Sequence, residues 1–260
     1  MMPPSLPTAV LGAPKLRVFA DRTSLGNAAA EHVAELLSSL IAEQGAARVI
    51  FACAPSQDQF LEALVGRAKG RVDWTRVTGF HMDEYIGLTH QHPASFRCYL
   101  HKHFLRHVQL KEFHAILGEA ANPAEECLRY AELVDAAPID LICLGIGENG
   151  HLAFNDPPVA VFNDRVSAKI VELDPSCRIQ QVNDRCFETL DAVPRSAITL
   201  TLPVFMRAKH LSAAVPGTRK ADAIRGTFLG EISATCPASI LRTHENATVF
   251  VDEAAAVKLT

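Results

Sequence analysis

Apolar runs and helical periodicities alternate along the chain. Residues 16–20 read as a short apolar strand. After them Ala29, Val33, Leu36, Leu37, Leu40 and Ile41 recur at helical spacing, which predicts a helix over about 25–44. Asp21, Thr23 and Ser24 offer it N-caps, and Gly45 stops it. Residues 48–54 and 77–82 read as buried strands on either side of a helix at 59–69. Pro93 suits the first position of a helix reaching 107, and Asn122-Pro123 opens another reaching 134. Residues 139–145, with Ile142 and Leu144, read as a strand buried on both faces. Further on, 166–173 read as extended, 175–187 as a polar helix, and 197–202 as an alternating strand. A short helix at 203–208, a strand at 210–215, a helix opened by Pro216-Gly217-Thr218 and a strand at 247–252 complete the pattern. Such alternation predicts an α/β fold, a parallel sheet with helices on both sides, in a single domain.

Composition narrows the classes of partner. The chain has 260 residues, 48% of them hydrophobic, enough to bury a core without staples. A net charge of −4 gives no basic footprint for nucleic acid. No apolar run is long enough to span a bilayer, so no membrane partner is expected. Seven cysteines are scattered with no CxxC pair. This predicts reduced thiols in a cytoplasmic protein, with neither a disulfide framework nor a zinc site. Residues 1–14 hold four prolines and no secretory pattern, and read as a loose arm ahead of a domain at 15–260.

Candidate chemistry gathers where strands end, the place at which open parallel sheets bind ligands. The strand at 139–145 runs into Gly145, Gly147 and Gly150, followed by His151, Asn155 and Asp156, with Glu148 and Asn149 inside the turn. A histidine with amide and carboxylate neighbours has the parts for proton transfer; a tight capped turn is the plain alternative. Pro55-Ser56-Gln57 offers a hydroxyl and an amide ahead of a helix N-terminus, where an anion is favoured. Asp83 and Glu84 follow a buried strand, and a carboxylate there can take a proton from a substrate carbon; a cap or surface acid is the alternative. Pro216-Gly217-Thr218-Arg219-Lys220 can hold a phosphate by backbone dipole and point charge, or can simply face solvent. Together these suit proton transfer on a phosphorylated carbon skeleton. His101, His103 and His107 share a helix face without an acidic partner and are read as packing or solvated residues.

GFHMDEYIGL (79–88) followed by His92-Pro93, GIGENGHLAFNDPP (145–158) and PASIL (237–241) resemble the glucosamine-6-phosphate deaminases, a group beside the 6-phosphogluconolactonases. The resemblance runs from the second strand to Asp252. It implies a Rossmann-like three-layer sandwich around a mostly parallel sheet, with no nucleotide cofactor and no metal. It implies an aldose–ketose isomerisation with loss of ammonia, acting on a small sugar phosphate in a cytosolic homo-oligomer. By motif, Asp83 matches the general base and His151 the histidine assisting ring opening. Asn149 and Asp156 match its two orienting groups, and Lys220 and Arg185 match phosphate-binding residues, with Ser56, Gln57 and Gly150 on the same rim. Three departures stand out: the family pattern has Asp at Asn149, Glu at Asp156, and a longer glycine-rich loop at Ala54-Pro55-Ser56-Gln57. Two alternatives stay open beside the deaminase reading, a lactonase in which His151 activates water and a non-catalytic sugar-phosphate sensor.

Overall fold

Strand β1 (Lys15–Phe19) leads into a helix whose start is written in two side chains. The Asp21 carboxylate accepts from the Ser24 amide at 2.7 Å, while the Asp21 amide donates to Ser24 Oγ at 3.2 Å. This reciprocal capping box opens α1 (Arg22–Gln44), which ends at Gly45 with φ 81°, a conformation glycine adopts without strain. The computed structural model describes residues 14–259. The expected arm lies outside the described residues except for its last position.

The chain continues through β2 (Ala47–Phe51), α2 (Asp58–Arg67), β3 (Val77–His81), β4 (Asp83–Tyr85), α3 (Phe96–His103), β5 (Glu112–His114), α4 (Pro123–Asp135) and β6 (Leu141–Leu144). Then come β7 (Ala168–Glu172), α5 (Pro175–Asn183), β8 (Ser196–Leu200), α6 (Leu202–Met206), β9 (His210–Val215), α7 (Ala221–Leu229), β10 (Ala247–Asp252) and α8 (Glu253–Ala256). Seven strands form one sheet in the order β1-β10-β9-β6-β2-β3-β5, every neighbouring pair parallel. All four residues of β6 are buried, as the apolar run predicts.

Strand alternation splits the core into two layers. Ile50, Ile142 and Leu144 pack on one side with Tyr130, Phe205 and Ile224. Val49, Phe51, Leu141 and Cys143 pack on the other with Val33, Leu37, Leu64 and Phe104. The result is the expected three-layer α/β sandwich. From β2 the chain moves on to β3, and from β6 it reaches β9 on the opposite side. The crevice beyond the ends of β2 and β6 is therefore the topological switch point.

The structure departs from the sequence reading in three places. The strand at 197–202 lies outside the parallel sheet, in a small antiparallel sheet ordered β4-β8-β7. Edge strand β5 is one exposed and two half-buried residues without an apolar run, and periodicity cannot find it. Helix α3 begins after Ser95, so Pro93 precedes the helix and does not open it. Among the described residues, no helix is long and apolar enough to cross a membrane.

Candidate active site

The turn after β6 places the histidine. Gly150 has φ 84°, and a Cβ there would stand 2.6 Å from Cys236 Sγ, so both conformation and space require glycine. A Cβ on Gly147 would lie 2.2 Å from the His151 ring, so the bare Cα lets the imidazole rest against backbone. The Gly147 amide donates to His151 O at 2.9 Å, and the Ala238 amide donates to Gly150 O at 2.8 Å. Gly150 thus shapes the turn from behind and does not line the cleft.

His151 Nδ1 stands 2.9 Å from Asp156 Oδ1. The two face each other as an ion pair, without strict hydrogen-bond geometry at His151 Nδ1 or Asp156 Oδ2, both of which are buried. Asn149 makes no hydrogen bond to the ring. Its Nδ2 donates to Asp156 Oδ1 at 2.8 Å, and its Oδ1 accepts from the His151 backbone amide at 3.1 Å. The expectation of two groups orienting the imidazole is therefore corrected: Asp156 faces the ring, and Asn149 holds Asp156. The reason is reach, because Asn149 sits two residues before His151 and folds back on the backbone. Burial pushes the Asp156 carboxyl up, but the contact and charge of His151 and the Asn149 amide outweigh it. Asp156 is held below the usual carboxylate range.

Asp83 reaches the same cleft from the other side. Chain pairing changes at Met82, between β3 in the large sheet and β4 in the small one. Asp83 stands opposite Thr199 of β8, and the Leu200 amide donates to Met82 O at 2.8 Å. Successive side chains on a strand point to opposite faces, which separates the two acids. Asp83 lines the cleft, whereas Glu84 turns inward to accept from Ser95 Oγ at 2.8 Å and the Phe96 amide at 3.1 Å. Glu84 also pairs with Arg97 at 3.3 Å, anchoring the start of α3. Burial drives the Asp83 carboxyl well above its ordinary pKa, and the charges of Glu84 and Asp156 add to the shift.

The opposite rim carries the cation. Lys220 closes the 3-10 turn Thr218–Lys220 and is 8% exposed in the cleft. Its ammonium makes no ion pair or hydrogen bond among the described residues. Burial lowers its pKa, against the opposing pull of Asp184 and Glu148. Neighbouring Arg219 is spent on Glu148, at 2.8 Å, and on Asp184. Ser56 and Gln57 share the 3-10 turn Pro55–Gln57 and both line the cleft. Gln57 Nε2 donates to Ser56 Oγ at 3.1 Å and to Ala214 O at 3.0 Å.

Arg185 is the site residue that the structure sets apart. It follows α5 with φ 61° and lies exposed in a separate hollow with Val182, Cys186, Phe187 and Glu188. It does not line the cleft that holds Asp83, His151 and Lys220. Two residues from the same segment take its place on the wall, Gln180 and Gln181. Nothing in the sequence marks them, because a glutamine pair in a polar helix carries no spacing signature. All seven cysteines are free thiols.

A buried carboxylate, an imidazole backed by a second carboxylate and an unpaired ammonium surround one crevice of an α/β sandwich. That constellation has the parts for proton transfer on an anionic substrate. Residues 20–250 match the family model for glucosamine-6-phosphate isomerases/6-phosphogluconolactonase, and the chain belongs to that family. A glucosamine-6-phosphate deaminase of Bacillus cereus is 39% identical over 187 residues, 72% of this chain and 70% of that protein. One of Exiguobacterium sibiricum is 39% identical over 192 residues, 74% of each. The solved structure of a monomeric glucosamine-6-phosphate deaminase superposes with a TM-score of 0.86 at 29% identity, covering 94% of this chain and 99% of that one. A 6-phosphogluconolactonase from Thermotoga maritima shares the fold, with a TM-score of 0.74 at 17% identity over 92% and 99% of the two chains.

Proposed function

We propose that this protein is an amino-sugar phosphate deaminase/isomerase, converting glucosamine 6-phosphate and water to fructose 6-phosphate and ammonia. The observation that carries the reading is that Asp83, His151 and the unpaired Lys220 line one cleft. In the proposed roles, Lys220 holds the phosphate with help from Ser56 and Gln57. His151, held by Asp156, passes a proton to the ring oxygen as the sugar opens. Asp83 takes the proton from C2 while the electron pair forms the C1–C2 double bond and O1 takes up a proton; Asp83 then returns its proton to C1 as the nitrogen lone pair forms the C2–N double bond. The resulting ketimine adds water at C2 and expels ammonia. A carboxylate with a raised pKa is a stronger base, which supports Asp83 in this role. Arg185 keeps a place in the reading only as a residue that swings onto the phosphate when substrate binds.

Seven free thiols support a reducing, cytoplasmic setting. The family resemblance implies a homo-oligomer, whereas the solved relative at TM-score 0.86 is described as monomeric. Sedimentation of the purified chain decides between the two. The function itself is tested by incubating the protein with glucosamine 6-phosphate and assaying ammonia and fructose 6-phosphate. Stoichiometric release of both is the expected result. No turnover of glucosamine or galactosamine 6-phosphate refutes the reading.

A further inference from the structure

Behind the imidazole lies a second constellation. His151 Nδ1, an Asp156 carboxylate oxygen and Cys177 Sγ all lie within 4.8 Å of one another. All three residues are buried. Neither the nitrogen nor Asp156 Oδ2 has a partner in good hydrogen-bond geometry, and the Asp156 carboxylate is close enough to both the imidazole and the thiol to be stabilised by them. Cys177 reaches the spot from the first turn of α5, where Pro175 sits at the start of the helix and the Asp174 carboxylate accepts from the Ser176 amide at 2.8 Å. A hollow lined by Glu148, Asn149, Ser176, Cys177 and Gln180 opens against the cluster and offers an entry path.

We propose that His151, Asp156 and Cys177 form a binding site for a thiophilic divalent cation of the Zn²⁺ or Co²⁺ type, and that its occupancy switches the catalytic imidazole off. One imidazole nitrogen, one carboxylate oxygen and one thiolate make three ligands of a tetrahedral site, with the fourth position left to water from the hollow. A thiolate in the set selects zinc-like ions over magnesium or calcium. Ligand bonds of about 2.0 Å to N and O and about 2.3 Å to S set ligand separations of roughly 3.3–3.6 Å. The present spacings, 2.9 Å between His151 and Asp156 and up to 4.8 Å across the cluster, reach that range by side-chain shifts of about 1 Å. Without a cation the thiol keeps its proton, since burial and the Asp156 charge push its pKa well up. A dication reverses that balance: the thiol proton leaves to solvent as the metal–sulfur bond forms. With Nδ1 on the metal, the ring keeps its one proton on Nε2 and can no longer exchange it. The inhibitory part of the proposal rests on the deaminase reading; the binding part does not.

Titration of the purified protein with Co²⁺ tests it. The expected result is one equivalent bound with a thiolate-to-cobalt charge-transfer band, displaced by Zn²⁺. The band disappears in Cys177→Ser and persists in Cys98→Ser and Cys186→Ser. Zn²⁺ inhibition of ammonia release weakens at least about tenfold in Cys177→Ser. A band unchanged in Cys177→Ser, or no band in the wild type at millimolar Co²⁺, overturns the proposal. Zinc-edge X-ray absorption of the wild type at one equivalent supplies a reading independent of any variant. One sulfur among nitrogen and oxygen ligands supports the site, and a shell with no sulfur or with several refutes it. Because the cobalt band is read without turnover, a protein that binds metal but releases no ammonia sinks the deaminase reading alone.

Discussion

Asn149 Nδ2 donates to Asp156 Oδ1 at 2.8 Å, and that same oxygen stands 2.9 Å from His151 Nδ1. One carboxylate oxygen is thus shared by an amide donor and the imidazole. Asn149→Asp would replace the donor with a second acceptor and set two carboxylates face to face. Like charges at that distance do not both ionise readily, so one pKa of the pair rises. The expected outcome is an acid limb of kcat/KM displaced to higher pH and a kcat lowered about tenfold at neutral pH. A pH profile of ammonia release checks it. Asn149→Asp with Asp156→Glu recovers part of the loss, because the longer arm separates the charges.

Asp83→Asn is expected to abolish exchange of the C2 proton with solvent while leaving phosphate-ligand binding largely intact. Proton NMR in heavy water reads the exchange. The same substitution is expected to stabilise the protein. The folded-state pKa of Asp83 is raised, so the native state binds its proton more tightly than the unfolded chain does. Stability therefore falls as pH rises from the unfolded carboxyl value through the raised one. At neutral pH the charged form costs stability that the amide does not. A gain of about 1 kcal/mol, or roughly 2–4 °C in Tm, is expected at pH 7 and vanishes near pH 3.

Lys220→Ala is expected to act on binding first. A charge-assisted contact to phosphate contributes about 1.5–3 kcal/mol, so KM rises about 10- to 100-fold with kcat changed much less. The inhibition constant for inorganic phosphate is expected to rise in parallel. Phosphate sitting beside the ammonium opposes the burial that lowers its pKa. Phosphate binding to the wild type is then accompanied by proton uptake near the lysine pKa, measurable by calorimetry in buffers of different ionisation enthalpy.

Gly26 lies where α1 meets α2. A Cβ there would stand 2.9 Å from both the carbonyl carbon and Cβ of Gln59. Backbone cannot swing aside, so Gly26→Ala is expected to cost about 1–3 kcal/mol by overpacking. The displaced α2 begins immediately after Ser56 and Gln57. A rise in KM should therefore accompany the fall in Tm, and denaturant titration with steady-state kinetics measures both.

Most of the sandwich is legible in the sequence because each parallel strand except the edge strand β5 is a short apolar run closed by a turn. The crevice follows from the strand ends, which is why Asp83, His151, Ser56, Gln57 and Lys220 come together as expected. What escapes is what depends on distant pairing. Strand β4 is the tripeptide Asp83-Glu84-Tyr85, whose partners Ala197, Ile198 and Thr199 lie far along the chain. Nor does local sequence reveal that Glu84 turns away to anchor α3, or that the backbone at Arg185 is left-handed. Asn149 matches a motif, but which neighbour its amide serves is decided only by the folded turn.

Among the described residues strand β4 has one neighbour, β8, and β8 is synthesised after β5, β6 and β7. A nascent chain that has exposed β2, β3 and β6 can assemble the middle of the large sheet, but its His151 turn still lacks Thr199, Leu200 and Ala238, which hold Phe154, Asn155 and Gly150. It cannot yet hold Asp83, because Thr199 and its strand are still unsynthesised. Both walls of the cleft are therefore keyed to one strand, and Asp83 and His151 can face each other only once β8 has been made.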